Sequence, residues 1–243
     1  MSDVLTLLAA GTATALACGL GAVPVFLLGA RAPTLASLLW GLAAGTMLVA
    51  SILGLLAPAL RDGTVVEVAA GGIVGVAFML VARRRFERPV PSRSAGQARG
   101  LVIFAVLAVH SVPEGLAMGT AYASSTAGLG LFVILAIGLQ NIPEGTSIAI
   151  PLQAEGATRA RQFWAATATS VPQPLGAVAA YALVDQVKSL LPLSFAFAAG
   201  AMLALVTVEM GPAALEGGRP RQALAGAAGG AALMIALSVW LGV

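Results

Sequence analysis

The only histidine of this 243-residue chain and three of its ten acidic residues fall inside long apolar runs: His110, Glu114, Glu144 and Glu209. An ionisable side chain within a bilayer is costly unless it is paired, hydrated or bound to metal, so such residues point to function. His110 and Glu114 stand four apart, as do Gln140 and Glu144, and in helices each pair shares one face on consecutive turns. Set in opposition, the two faces offer an imidazole nitrogen, two carboxylates and an amide oxygen. That mixed set suits a divalent transition metal, whose charge two glutamates balance.

Both pairs belong to a short repeat, His110-Ser111-Val112-Pro113-Glu114-Gly115 and Gln140-Asn141-Ile142-Pro143-Glu144-Gly145, offset by 30 residues. Pro113 and Pro143 lack the N–H that would bond the carbonyls of Val109 and Leu139. Broken backbone is therefore expected here, and membranes tolerate it where it lines a hydrated or ion-filled cavity. Gly115 and Gly145 predict close helix packing. Either copy alone also reads as a proline kink beside a satisfied buried polar pair; the duplication with acids in register favours a site.

The elements that hold these residues follow from composition. Of the residues 59% are hydrophobic and 9% charged, against roughly 45–50% and about 25% in soluble domains, which excludes a water-soluble globule. The runs are continuously apolar rather than alternating, which excludes a β-barrel. The expected class is an all-α polytopic membrane protein. At about 20 residues per span, eight transmembrane helices are predicted near 4–29, 33–60, 64–82, 101–121, 127–151, 160–184, 193–215 and 221–242, forming a single domain over 1–243. Residues 1–30 read as a retained first helix rather than an export signal, because Asp3 stands where a basic residue belongs.

Charge placement orients the spans. The loops after helices 1, 3, 5 and 7 carry eleven basic residues, namely Arg31; Arg83, Arg84, Arg85, Arg88, Arg93, Arg99; Arg159, Arg161; and Arg219, Arg221. The opposite loops carry two, Arg61 and Lys188. Basic residues stay cytoplasmic, so both termini are expected outside. The stretch 83–100, with Pro89, Pro91, Ser92 and Ser94, reads as a basic, solvated cytoplasmic loop that touches anionic lipid. The net charge of +3 implies no nucleic acid, since in a membrane chain placement governs. Cys18, the lone cysteine, excludes an internal disulfide and a cysteine-based zinc site. Trp40, Trp164 and Trp240 are expected as interfacial anchors.

On these residues the sequence resembles the ZIP (Zrt/Irt-like protein) family of divalent metal transporters, in particular its GufA-type bacterial branch. The resemblance spans essentially the whole chain. It includes Ala43-Ala44-Gly45-Thr46-Met47 running to Leu55-Leu56-Ala57-Pro58, the two Pro-Glu-Gly motifs, and Ala199-Gly200-Ala201-Met202 with Glu209. It implies a ZIP-like 3+2+3 arrangement in which helices 1–3 and 6–8 are related and helices 4 and 5 carry the metal. An elevator-type movement of helices 1, 4, 5 and 6 against 2, 3, 7 and 8 is implied, as is a homodimer. The implied cargo is zinc, with cadmium, iron and manganese as further candidates, moved into the cytoplasm across the cytoplasmic membrane without a resident cofactor.

Carried over by position, the metal site comprises His110, Glu114, Gln140 and Glu144, with Met47 as a further ligand or gate; packing is the other reading of Met47. Gln140 stands where many relatives have histidine. An adjacent second site would use Ser111, Asn141 and Gln173 beside Glu114 and Glu144. Here the sequence departs: many relatives have asparagine at the position of Ser111 and glutamate at that of Gln173. The uncharged residues predict a weak or transit position only. Glu209 lies about seven residues, roughly 10 Å, from the inner end of helix 7. It serves the release path, or it snorkels and hydrogen-bonds structurally.

Two other classes use the same residues. A proton-coupled carrier of a small solute would employ Glu114 and Glu144 as relays and show solute flux without tight metal binding. A membrane-embedded zinc hydrolase would need more imidazoles and a nucleophile with its base; with one histidine, the chain is not expected to be an enzyme.

Overall fold

The computed structural model describes residues 2–86 and 95–243, and every regular element among them is helical. Eight helices succeed one another: α1 (Ser2–Leu28), α2 (Arg31–Asp62), α3 (Val65–Phe86), α4 (Ala95–Ala123), α5 (Leu129–Ala154), α6 (Arg159–Thr169 and Pro172–Gln186), α7 (Lys188–Glu216) and α8 (Pro220–Leu241). Helices keep all backbone bonds within one segment, which is what lets apolar runs sit in lipid. Among the described residues, six of them are long and apolar enough to cross a membrane: α1, α2, α3, α5, α7 and α8. The other two are α4, which carries His110 and Glu114, and α6, which is split into segments of 11 and 15 residues. The chain is a polytopic membrane protein.

Several local expectations are corrected. The stretch 83–100 is not one loop. α3 continues through Arg83, Arg84 and Arg85 to Phe86, and α4 begins at Ala95. Arginine is a good helix former, and its charge is favourable at a helix C-terminus. Arg88 and Arg93 lie outside the described residues. α4 and α5 run unbroken through Pro113 and Pro143, so the missing proline bond does not interrupt either helix. The break falls in α6, where Ser170 and Val171 separate the two segments ahead of Pro172 and Pro174. Trp164 and Trp240 are exposed, and Trp40 is half-buried against the core.

Two wide turns were not foreseen. Ile52–Leu56 in α2 and Val206–Met210 in α7 are π-helical, and each directly precedes an X-Pro pair, Ala57-Pro58 and Gly211-Pro212. Without a proline N–H the carbonyl four residues earlier loses its α-helical donor. The backbone widens instead, with Ala57 N donating to Ile52 O and Gly211 N to Val206 O. In α7 the carbonyl four residues before Pro212 is that of Val208, which accepts from Arg83 Nη1 of α3.

The principal helix pairs are α2 with α8, α3 with α7, α2 with α7, α4 with α6, α1 with α6 and α1 with α5, while α2 also lies on α5 and α7 on α4. The main core contains Leu7, Met47, Met118, Phe132, Phe195 and Met202. Large apolar side chains such as Leu27, Ile73, Leu224 and Val239 point outward, as a lipid-facing surface requires.

Candidate metal centre

Glycine sets how closely the helices of the site approach. A Cβ on Gly115 would lie 3.0 Å from Gln173 Cα and 3.1 Å from Gln173 C, with Gln173 O nearer still. α4 and α6 therefore touch backbone to backbone one residue after Glu114. At Gly145 a Cβ would collide with Cys18 O, so α5 meets α1 in the same way. The glycine that follows each glutamate thus draws a neighbouring helix onto the site.

Glu114 is fully buried, and both its oxygens accept amide hydrogens: Oε1 from Gln140 Nε2 at 2.6 Å and Oε2 from Gln173 Nε2 at 2.6 Å. Bonds to a charged acceptor contribute about 1.5–3 kcal/mol each, which offsets part of the cost of burying this carboxylate. Gln173 in turn pairs with Asn141, Nε2 donating to Oδ1 at 3.2 Å and Oε1 accepting from Nδ2 at 3.0 Å. Thr14 of α1 completes the group: its hydroxyl donates to Gln173 Oε1 at 2.8 Å, and its carbonyl accepts from Asn141 Nδ2 at 2.7 Å. Four helices, α1, α4, α5 and α6, thereby meet in one buried polar network.

Three motif atoms stand outside that network. His110 Nε2, Gln140 Oε1 and Glu144 Oε1 are buried and have no hydrogen-bond partner. His110 Nε2 lies 3.1 Å from Glu209 Oε2, within ion-pair distance but outside hydrogen-bond geometry. Buried polar atoms in native proteins are ordinarily satisfied. An imidazole nitrogen and two oxygens lacking donors share one complement, a cation of the class that N and O ligands bind. Among the described residues, no three His, Cys, Asp or Glu side chains are already gathered as a metal cluster. Glu114 is turned to the amides of Gln140 and Gln173, one on each of its oxygens.

The sequence-derived residues distribute as follows. Gln140, Glu114, Gln173 and Asn141 are linked in that order by side-chain hydrogen bonds, and Ser111 and Glu144 are buried within the same helices. Met47 is fully buried in the main apolar core. Glu209, placed by sequence towards the end of α7, meets His110 from within the wide turn Val206–Met210. Thr14 was not singled out; a threonine in an apolar helix carries no signal of its own. Pro212 was the available hint for Glu209, since proline predicts a local irregularity before it.

Comparison with known proteins adds a family context. A family model described as ZIP Zinc transporter matches residues 87–238. A putative zinc transporter of Arabidopsis thaliana is 33% identical over 232 residues, covering 93% of this chain and 37% of the plant protein. Zinc transporter GufA of Myxococcus xanthus is 35% identical over 142 residues, 58% of this chain and 56% of that protein. Zinc transporter ZIPB of Bordetella bronchiseptica is 31% identical over 254 residues, covering 96% of this chain and 80% of its own length. The chain thus spans less than two thirds of the first two relatives.

Proposed function

The chain belongs to the ZIP zinc transporter family, a family of transporters rather than enzymes, and from that premise we propose that it moves a divalent transition metal, zinc foremost, into the cytoplasm. Cadmium, iron and manganese are the other candidate cargoes, since a nitrogen and oxygen ligand set accepts several ions and geometry ranks them. The proposed ligands are His110, Glu114, Gln140 and Glu144, with Met47 as a further ligand or gate on the strength of the resemblance. Ser111, Asn141 and Gln173 carry no charge and are assigned at most a weak contact with a passing ion. Glu209, 3.1 Å from His110, is proposed to receive the ion on the release side. The observation that carries this reading is the trio of buried motif atoms without a hydrogen bond, His110 Nε2, Gln140 Oε1 and Glu144 Oε1.

The family's 3+2+3 arrangement is supported by packing. Exchanging α1 with α6, α2 with α7, α3 with α8 and α4 with α5 converts α2–α8 into α7–α3, α4–α6 into α5–α1 and α2–α5 into α7–α4, and leaves the pairs α1–α6 and α2–α7 as they are. The wide turns of α2 and α7 obey the same exchange. Elevator-type movement would carry α1, α4, α5 and α6 together. Their shared network favours this grouping, as does Asp3, which accepts from Tyr122 Oη at 3.1 Å and Tyr181 Oη at 3.2 Å and so ties α1, α4 and α6 at one end. Location in the cytoplasmic membrane, both termini outside and a homodimer complete the proposal.

Zinc titration of the purified, detergent-solubilised chain tests the site. Binding should be lost or severely weakened in His110→Ala, Glu114→Ala and Glu144→Ala while each variant still reaches the membrane. Near-unchanged binding in two of the three would remove the assignment.

A further inference from the structure

The Gln173 amide has two hydrogens and two acceptor positions, and all are engaged. Nε2 donates to Glu114 Oε2 at 2.6 Å and Asn141 Oδ1 at 3.2 Å; Oε1 accepts from Asn141 Nδ2 at 3.0 Å and Thr14 Oγ1 at 2.8 Å. The single Thr14 hydroxyl hydrogen is shared with Gly11 O at 2.9 Å. Which end of a buried amide faces which neighbour is decided by its partners. Here the decision starts from a group that cannot turn over, the Thr14 carbonyl in the backbone of α1, which accepts from Asn141 Nδ2 at 2.7 Å. Asn141 is thereby fixed with its nitrogen towards α1. Its remaining hydrogen then needs an oxygen from Gln173, and its own oxygen needs a hydrogen from Gln173. Both demands set Gln173 Nε2 against Glu114. The reversed amide would oppose N–H to N–H and bring its oxygen against both Asn141 Oδ1 and the Glu114 carboxylate.

We propose that Thr14, Asn141 and Gln173 form an orienting relay that fixes an N–H group on Glu114 Oε2, making Gln173 a positioning residue for Glu114 and not a ligand of a second ion. The relay rests on the reading of Glu114 as a metal ligand. The Gln173 N–H occupies one lone pair of Oε2 and fixes the rotation of the carboxylate, which decides where the remaining lone pairs of Glu114 can meet a cation. Gln173 has no lone pair left to offer, and its N–H hydrogens stand where a neighbouring cation would need an oxygen. The chain therefore holds one tightly bound ion per protomer. Thr14, which donates only to Gln173 and Gly11, sets the affinity of a site it never touches.

Calorimetric zinc titration of the full, detergent-solubilised chain tests the relay through both stoichiometry and affinity. The unmodified chain should bind one ion, and Thr14→Ser, which keeps the hydroxyl, should match it. Thr14→Val and Gln173→Leu should each weaken binding by roughly tenfold, about 1.4 kcal/mol, at unchanged stoichiometry. Gln173→Glu, which deletes the N–H and adds charge, should raise stoichiometry towards two. If Thr14→Val does not assemble, the two Gln173 variants decide. The relay is overturned if Thr14→Val or Gln173→Leu binds as tightly as the unmodified chain. It is equally overturned if the unmodified chain binds two ions and Gln173→Leu removes one. Absence of zinc binding in the unmodified chain, or binding indifferent to His110→Ala, would instead defeat the metal reading beneath it.

Discussion

Gly115→Ala isolates the contribution of close packing between α4 and α6. The added methyl would fall 3.0 Å from Gln173 Cα and 3.1 Å from Gln173 C, with the carbonyl oxygen nearer. All three are backbone atoms, so no side chain can swing aside. α6 must retreat by an amount on the order of 1 Å to restore ordinary contact, and such overpacking costs about 1–3 kcal/mol. The same retreat stretches the 2.6 Å bond from Gln173 Nε2 to Glu114 Oε2 towards the limit of about 3.5 Å beyond which no hydrogen bond remains. Losing a bond to a charged group adds roughly 1.5–3 kcal/mol, while the helix preference of alanine returns about 1 kcal/mol. A net destabilisation of roughly 1.5–5 kcal/mol follows from these terms. Gly229→Ala in α8 is the control, because a Cβ there meets nothing within 4 Å. Thermal unfolding of the solubilised protein should show Gly115→Ala melting well below the unmodified chain, with weakened zinc binding, and Gly229→Ala melting at or slightly above it. Equal melting and equal zinc affinity in the two variants would refute the reasoning.

Further outcomes follow from the same geometry. Zinc affinity should weaken as pH falls from about 7 to about 5, because metal and protons compete for imidazole and carboxylate ligands; titration across that range checks it, and a flat profile would contradict histidine ligation. Pro212→Ala restores the missing N–H in α7, so the wide turn Val206–Met210 should tighten, rotating Glu209 by about 100° for the residue removed from the turn. Uptake should then slow while equilibrium zinc affinity changes less than threefold, as read by transport assay beside calorimetry. A cysteine placed at Ser2 should react with a membrane-impermeant thiol reagent added outside intact cells, whereas Cys18, 1% exposed, should stay silent; labelling only after lysis would reverse the topology.

Much of this was legible in the residues, and the exceptions have identifiable causes. Long apolar runs predicted eight helices because backbone in lipid has few alternatives, and the paired Pro-Glu-Gly motifs marked the helices that carry the buried acids. The proline rule misled at Pro113 and Pro143, where α4 and α5 run on unbroken. At Pro58 and Pro212 it acted differently, widening a turn instead of ending a helix. Glu209 meets His110 from within one of these widened turns. Thr14 escaped notice because its role depends on helices α5 and α6, more than a hundred residues away in sequence. The basic stretch that begins at Arg83 looked solvated from its charge, yet Arg83 turns back to the Val208 carbonyl, a contact set by the tertiary fold.

Metal flux into proteoliposomes containing only this chain tests the central claim most directly. Zinc should accumulate inside in a saturable manner, and His110→Ala and Glu144→Ala, incorporated at equal density, should abolish the flux. Vesicles that take up no zinc, cadmium, iron or manganese above empty controls, or whose zinc uptake is indifferent to both substitutions, would contradict it.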